Sequence, residues 1–141
     1  MTSTEFRERA NSGLDEELER LAFDVIGACI EVHLHLGPSL PESVYRKALS
    51  HELSLRGISH VCESPVPVTY KGILVGEGRL DLLVAERLVI ELKCAECLTE
   101  VHKAQALAYL QATGLQLALL INFNVAVLQD GIKRVIKSQK R

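Results

Sequence analysis

Leu80-Asp81-Leu82-Leu83-Val84 and, after a short turn, Val89-Ile90-Glu91-Leu92-Lys93 are the two runs whose reading decides the fold. Both are short, apolar and rich in branched residues, as strands of a buried sheet are. Each also carries charge where a core strand has no use for it. A strand has a period of two, so Glu91 and Lys93 share one face while Ile90 and Leu92 point to the other. Ala85-Glu86-Arg87 turns the chain between the runs, which brings Asp81 and Glu91 side by side at one end of the sheet.

A buried carboxylate is costly unless it is paired or binds a metal. Two of them together raise each other's pKa unless a cation lies between them. Hard oxygen ligands favour Mg2+ or Mn2+, which keep several waters and accept phosphate oxygens. A lysine beside such an ion is placed to orient an attacking water or to stabilise charge developing on a phosphate. The alternative is a structural ion pair of Lys93 with Asp81 or Glu91. On the isolated D…E-x-K pattern that alternative stays open, because such spacings arise readily by chance.

Upstream, Leu18, Leu21, Ala22, Val25, Ile26 and Cys29 recur at helical spacing from about Asp15, and Gly37-Pro38 stops that helix. Ser39-Leu40-Pro41-Glu42 opens a second helix as a capping box with an early proline, and Gly57 ends it. Pro65 and Pro67 confine the stretch Val61 to Tyr70 to a sheet edge. After a turn at Lys71-Gly72, Ile73 to Val84 reads as one long strand with a bulge expected around Gly76-Glu77-Gly78.

Downstream, Thr99 caps a helix running to about Thr113, with Gly114 as its stop. Leu115 to Ile121 is apolar enough for a strand buried on both faces. Asp130-Gly131 predicts a hairpin turn between strands at Val125–Gln129 and Ile132–Lys137. The order α-α-β-β-β-α-β-β-β gives an α/β domain over residues 14–137, one sheet with helices packed on it. A loose segment at 1–13 and a basic tail at 138–141 flank it.

With 141 residues, 48% apolar and 24% charged, the chain has the composition of one soluble globular domain. No basic segment followed by an apolar run opens it, and no stretch of about 18 apolar residues could span a bilayer, so a cytoplasmic protein without membrane contact is expected. Cys94-Ala-Glu-Cys97 has C-x-x-C spacing, but no second pair completes a zinc site, so Cys29, Cys62, Cys94 and Cys97 read as free thiols. The net charge of −2 does not advertise a nucleic-acid binder. Its distribution is uneven, with Asp15, Glu16, Glu17 and Glu19 near one end and Lys133, Arg134, Lys137, Lys140 and Arg141 at the other. The basic end reads equally as a solvated tail or as a phosphate-contacting edge.

The order of elements adds what the charge pattern lacks. A helix precedes a three-stranded meander with the acid on its second strand and E-x-K on its third, and a helix and strand follow. In this the chain resembles the PD-(D/E)xK nuclease superfamily. Within it, the chain is similar to the GxxExxY family along about residues 20–136. The matching segments are Ile30-Glu31-Val32-His33 and Leu36-Gly37-Pro38-Ser39-Leu40-Pro41-Glu42-Ser43-Val44-Tyr45, then Tyr70-Lys71-Gly72 and Gly76-Glu77-Gly78-Arg79-Leu80-Asp81-Leu82-Leu83-Val84. Ile90-Glu91-Leu92-Lys93, Ala104-Gln105-Ala106-Leu107-Ala108-Tyr109-Leu110 and Leu119-Leu120-Ile121-Asn122-Phe123 continue the match.

The resemblance implies a restriction-endonuclease-like core, a mixed central sheet flanked by helices. It also implies a Mg2+- or Mn2+-dependent phosphodiesterase acting on nucleic acid, DNA first. Asp81 and Glu91 match the metal carboxylates and Lys93 the catalytic lysine. Glu42 matches a helix acid that completes the metal site, His33 matches a family position as a further candidate ligand, and Gln105 with Tyr109 matches a Q-x-x-x-Y feature on the later helix. Two positions depart from the pattern: Ser39 stands for the family's first glycine, and Leu80 for the superfamily's proline. Serine is harmless there if it is a helix N-cap.

Plainer readings accompany these roles. Glu42 serves as the third-position acid of the capping box, His33 as a structural histidine, and Tyr45 and Tyr109 as core residues, while His102 and Glu96 are solvated. With little net positive charge, one small domain makes a poor solitary DNA clamp, so a homodimer or larger assembly is expected. The competing function is a catalytically silent nuclease-like fold that binds nucleic acid or protein.

Overall fold

Asp15 accepts a hydrogen bond from the Leu18 N–H at 2.8 Å and so caps helix α1 (Glu16–Leu36), whose acidic first turn suits the positive end of the helix dipole. The computed structural model describes residues 12–137. Along α1 the buried positions Leu18, Ala22, Val25, Cys29 and Val32 alternate steps of four and three, which makes one continuous stripe. Gly37, at φ 70°, ends the helix. Helix α2 (Glu42–Leu55) follows after a short loop.

The sheet has five strands in the order β1 (His60–Tyr70), β2 (Ile73–Val84), β3 (Leu88–Lys93), β4 (Leu117–Asn122) and β5 (Ile132–Ile136). All neighbours are antiparallel except β3 and β4, which run parallel in the register Leu88↔Leu117 to Lys93↔Asn122. Helix α3 (Glu100–Thr113) makes that crossover. Thr99 caps it and Gly114, left-handed at φ 76°, stops it, as the sequence predicts. This is an α/β fold with a mixed sheet flanked by helices.

The two faces of the sheet carry separate cores. Leu88, Ile90 and Leu92 of β3, with Leu117, Leu119 and Ile121 of β4, pack against α1 and α2. Val89, Ala118 and Leu120 face α3 through Ala106 and Leu110. By strand parity Glu91 and Lys93 share the face of Val89, the α3 side.

Strand β2 does not keep one face. Leu82 and Val84 lie in the first core, but Leu80, of the same parity, lies in the second. The switch falls at Asp81. Pairing of β2 with β3 stops at Leu82↔Ile90, and pairing with β1 skips from Cys62↔Leu82 to Ser64↔Leu80 across Glu63, which is left-handed at φ 51°. Beyond that point β1 and β2 continue as a two-stranded arm, with a bulge at Val68/Thr69 opposite Gly76 and exposed Tyr70, Ile73 and Leu74 at its tip.

Three expectations are corrected. Val125–Gln129 is not a strand: Leu128–Gly131 is a 3-10 turn, and β5 pairs with β4 instead. The capping box at Ser39 does not form. The N-cap of α2 is Pro41, without a side-chain bond, and Ser39 is left-handed at φ 77°. His102 is not simply solvated, since its Nδ1 accepts the Thr99 N–H at 3.1 Å. Of the flanking segments, residues 1–11 and the basic tail at 138–141 lie outside the described residues.

Candidate active site

The divergence of β2 from β3 makes the site. Where the backbone of β2 would continue the ladder, the Asp81 carboxylate takes over: its Oδ2 accepts the Leu92 N–H at 2.7 Å. The Glu91 Oε1 in turn accepts the Asp81 N–H at 3.4 Å. Two carboxylates on adjacent strands are thereby locked together, each held by the other strand's backbone.

Glu91 is 4% exposed. Burial, together with the Asp81 charge and a shared carboxyl hydrogen bond, pushes its carboxyl up to about 8, although the Lys93 charge and the Asp81 N–H pull the other way. At an effective dielectric of about 20, two unit charges about 4 Å apart repel by about 4 kcal/mol. That exceeds the about 1.5–3 kcal/mol of one hydrogen bond to a charged group. Lys93 does not neutralise the pair by direct contact, because its Nζ donates to Gln105 Oε1 at 3.1 Å, and no ion pair of Asp81 or Glu91 occurs among the described residues. The residues present fit a hard divalent cation: carboxylate oxygens, one buried and one half-buried, with a deficit of positive charge.

Glu42 stands at the first position of α2. Burial and the Asp81 charge raise its pKa, while Lys93 and Arg46 oppose the rise, so its carboxyl shares the field of the other two acids. It makes no capping bond to Ser39, contrary to the capping-box expectation. Nor do three or more His, Cys, Asp or Glu side chains converge as a ligand set among the described residues. A cation would thus have Asp81 and Glu91 as its protein carboxylates, leaving further positions for water and substrate oxygens.

Tyr45 fixes the loop that delivers Glu42. Its hydroxyl donates to the Gly37 carbonyl and accepts the Leu40 N–H at 3.2 Å, while its ring stacks on Phe123 at 4.4 Å. His33 belongs to this cluster and not to the acids. Its Nε2 pairs with the Val125 carbonyl at 2.9 Å and its ring lies 6.1 Å from Phe123, contacts that suit the structural reading of this histidine.

On α3, Gln105 reaches Lys93, whereas Tyr109, one turn on, packs over Gly78 of the β2 arm. The sequence reading passed over Asn122. Fully buried, it bonds the Ala95 N–H and carbonyl at 3.1 and 2.9 Å and so pins the turn that follows Lys93. It stands opposite Lys93 in the parallel register, and its one signal in the sequence is an amide directly after the apolar run Leu117 to Ile121. The four cysteines are free thiols, with Cys29 buried and Cys62, Cys94 and Cys97 exposed.

No helix among the described residues is long and apolar enough to cross a membrane. No curated protein matches the chain. A family model described as the PD-(D/E)XK nuclease superfamily matches residues 19–135, from the first turn of α1 into β5. Nucleases of that kind generally use divalent metals and act on nucleic acid. The match spans every helix and strand that builds the acidic centre, and the chain belongs to the PD-(D/E)XK nuclease superfamily.

Proposed function

We propose that this chain is a Mg2+- or Mn2+-dependent nuclease that hydrolyses phosphodiester bonds in DNA, of the GxxExxY type. The observation that carries the reading is the interlocked pair Asp81–Glu91, a half-buried and a buried acid with no cationic side chain in contact and a lysine at the same strand end. The Glu42-x-x-Tyr45 spacing supports the finer family assignment, because Tyr45 holds the loop that sets Glu42 at the head of α2.

In this reading Asp81 and Glu91 would hold the cation, with Glu42 as the further acid whose carboxyl shares their field. The bound cation supplies Lewis-acid stabilisation of the phosphate and a water acidic enough to attack at neutral pH. Lys93 places its ammonium where charge develops on the phosphate oxygens, and Gln105 restrains that ammonium through the 3.1 Å bond to its side-chain oxygen. Tyr109 keeps the β2 arm seated on α3. With a net charge of −2, one copy offers little positive surface, so a homodimer or larger assembly completes the substrate contact.

The test is direct. Purified protein is incubated with labelled single- and double-stranded DNA and RNA in Mg2+, Mn2+ or EDTA. The proposal expects cleavage of DNA with either metal and none in EDTA. Nucleic-acid binding without metal-dependent cleavage would favour a silent binding fold instead.

A further inference from the structure

Arg46 and Arg79 approach one oxygen, Glu63 Oε1, at 3.7 and 3.8 Å. They come from different elements, α2 and β2. Arg46 lies one helical turn beyond Glu42, and Arg79 lies on β2 just before the change of face at Asp81. Glu63 stands across from Asp81 at the break in the β1–β2 ladder. The cluster meets the acidic centre through Arg46, whose charge acts on Glu42, as that of Asp81 does.

The contacts to Glu63 are loose. Elsewhere in the molecule arginines grip carboxylates in true hydrogen bonds, as in Arg87–Asp15 at 2.5 and 3.0 Å, Arg134–Glu19 at 2.7 and 2.9 Å, and Arg56–Glu52 at 2.7 Å. The distances at Glu63 exceed the hydrogen-bonding range, and neither the Arg46 nor the Arg79 guanidinium bonds to any described residue. Two forks of donors thus remain unspent, and Arg79 is 63% exposed. An exposed ion pair of this kind is worth at most about 1 kcal/mol, so a competing anion displaces Glu63 at little cost. Glu63 is also held left-handed at φ 51°, a conformation that costs a residue with a Cβ about 1–2 kcal/mol.

We infer that Arg46 and Arg79 form a phosphate-binding clasp for the nucleic-acid backbone next to the scissile position, with Glu63 as a resident carboxylate that the phosphodiester displaces. The inference rests on the nuclease reading of the adjoining acids. The clasp gives an acidic chain a local site for the polyanion it must hold. Bidentate guanidinium geometry matches the phosphate oxygens, which a lysine would meet only as a point charge.

Binding of a fluorescent DNA duplex and of its single strand is measured in EDTA across a salt series, for wild type, Arg79→Ala, Arg46→Ala, Arg46→Lys and Glu63→Gln. Cleavage with Mg2+ and thermal melting are followed in parallel. Arg79→Ala and Arg46→Ala should each weaken binding about tenfold and lower the salt slope by about one, with Arg46→Lys recovering part of the loss. Glu63→Gln should act in the opposite direction and tighten binding about threefold or more, because it removes the internal competitor.

Wild-type affinity and salt slope in folded Arg79→Ala, or weaker binding in Glu63→Gln, overturns the clasp. If those variants are unchanged while wild type still cleaves, the clasp fails and the nuclease reading survives. Arginine-dependent binding without any cleavage means the reverse. Absence of both binding and cleavage overturns both.

Discussion

Glu91 illustrates how one side chain couples stability to chemistry. Its carboxyl is pushed up to about 8 by burial and by Asp81, against an ordinary value near 4.5. In the metal-free fold it therefore holds a proton that the unfolded chain has already released. The unfolded state binds fewer protons across that window, so the contribution of Glu91 to stability is full below pH 4.5 and is lost as pH rises toward about 8. The slope approaches about 1.4 kcal/mol per pH unit at most. Urea unfolding in EDTA at pH 5 and pH 8 should show wild type less stable at pH 8. Glu91→Gln should flatten the difference, and so should saturating divalent cation in the wild type. A pH-independent midpoint in wild type would mean that the two acids are not crowded in the folded chain.

Among the elements, the β1–β2 arm and α3 meet at a point of unusual closeness. A Cβ on Gly78 would lie 2.6 Å from the Tyr109 ring, so glycine lets the aromatic lie on the strand backbone. Gly78→Ala should cost about 1–2 kcal/mol in chemical denaturation, because the ring must slide. The loop ahead of α2 predicts the opposite sign. Ser39 is left-handed at φ 77°, where its Oγ gains only a 3.4 Å contact with Asn124. Ser39→Gly should therefore stabilise the protein by about 0.5–1 kcal/mol in the same measurement. On the proposed GxxExxY assignment Ser39 stands at the pattern's first glycine, and a left-handed backbone there asks for freedom, not for a cap.

These cases mark what the sequence could and could not disclose. Alternation placed Glu91 and Lys93 on one face, and a short turn placed Asp81 beside Glu91, because period and hairpin length are local properties. The helix limits at Asp15, Thr99 and Gly114 were legible for the same reason. The change of face at Asp81 was not, because it arises when a side chain replaces a ladder bond from another strand. Gly131 misled in a similar way. It reads as a hairpin turn, yet a Cβ there would come within 2.2 Å of the Asn122 carbonyl, so close tertiary approach explains the glycine. Arg46, Arg79 and Glu63 were invisible because nothing short of the fold brings helix and arm together.

On the scale of the whole molecule, two helices cover one face of the sheet and one helix covers the other, leaving the acids at the end where the sheet splits. The mutual support is asymmetric. Asp81 and Glu91 brace each other through backbone bonds, whereas Lys93 is held from across the face by Gln105. Removing Lys93 should then spare fold and metal binding, whereas changing Asp81 should not spare the metal. The deciding measurement is the rate of DNA cleavage in Mg2+ by wild type, Lys93→Ala and Asp81→Asn, each checked for folding by thermal melting and for metal affinity by titration. The account predicts wild-type cleavage, a loss of at least about a hundredfold in both variants, and metal affinity lowered in Asp81→Asn alone. Equal cleavage by all three proteins would contradict it and place the catalytic centre elsewhere.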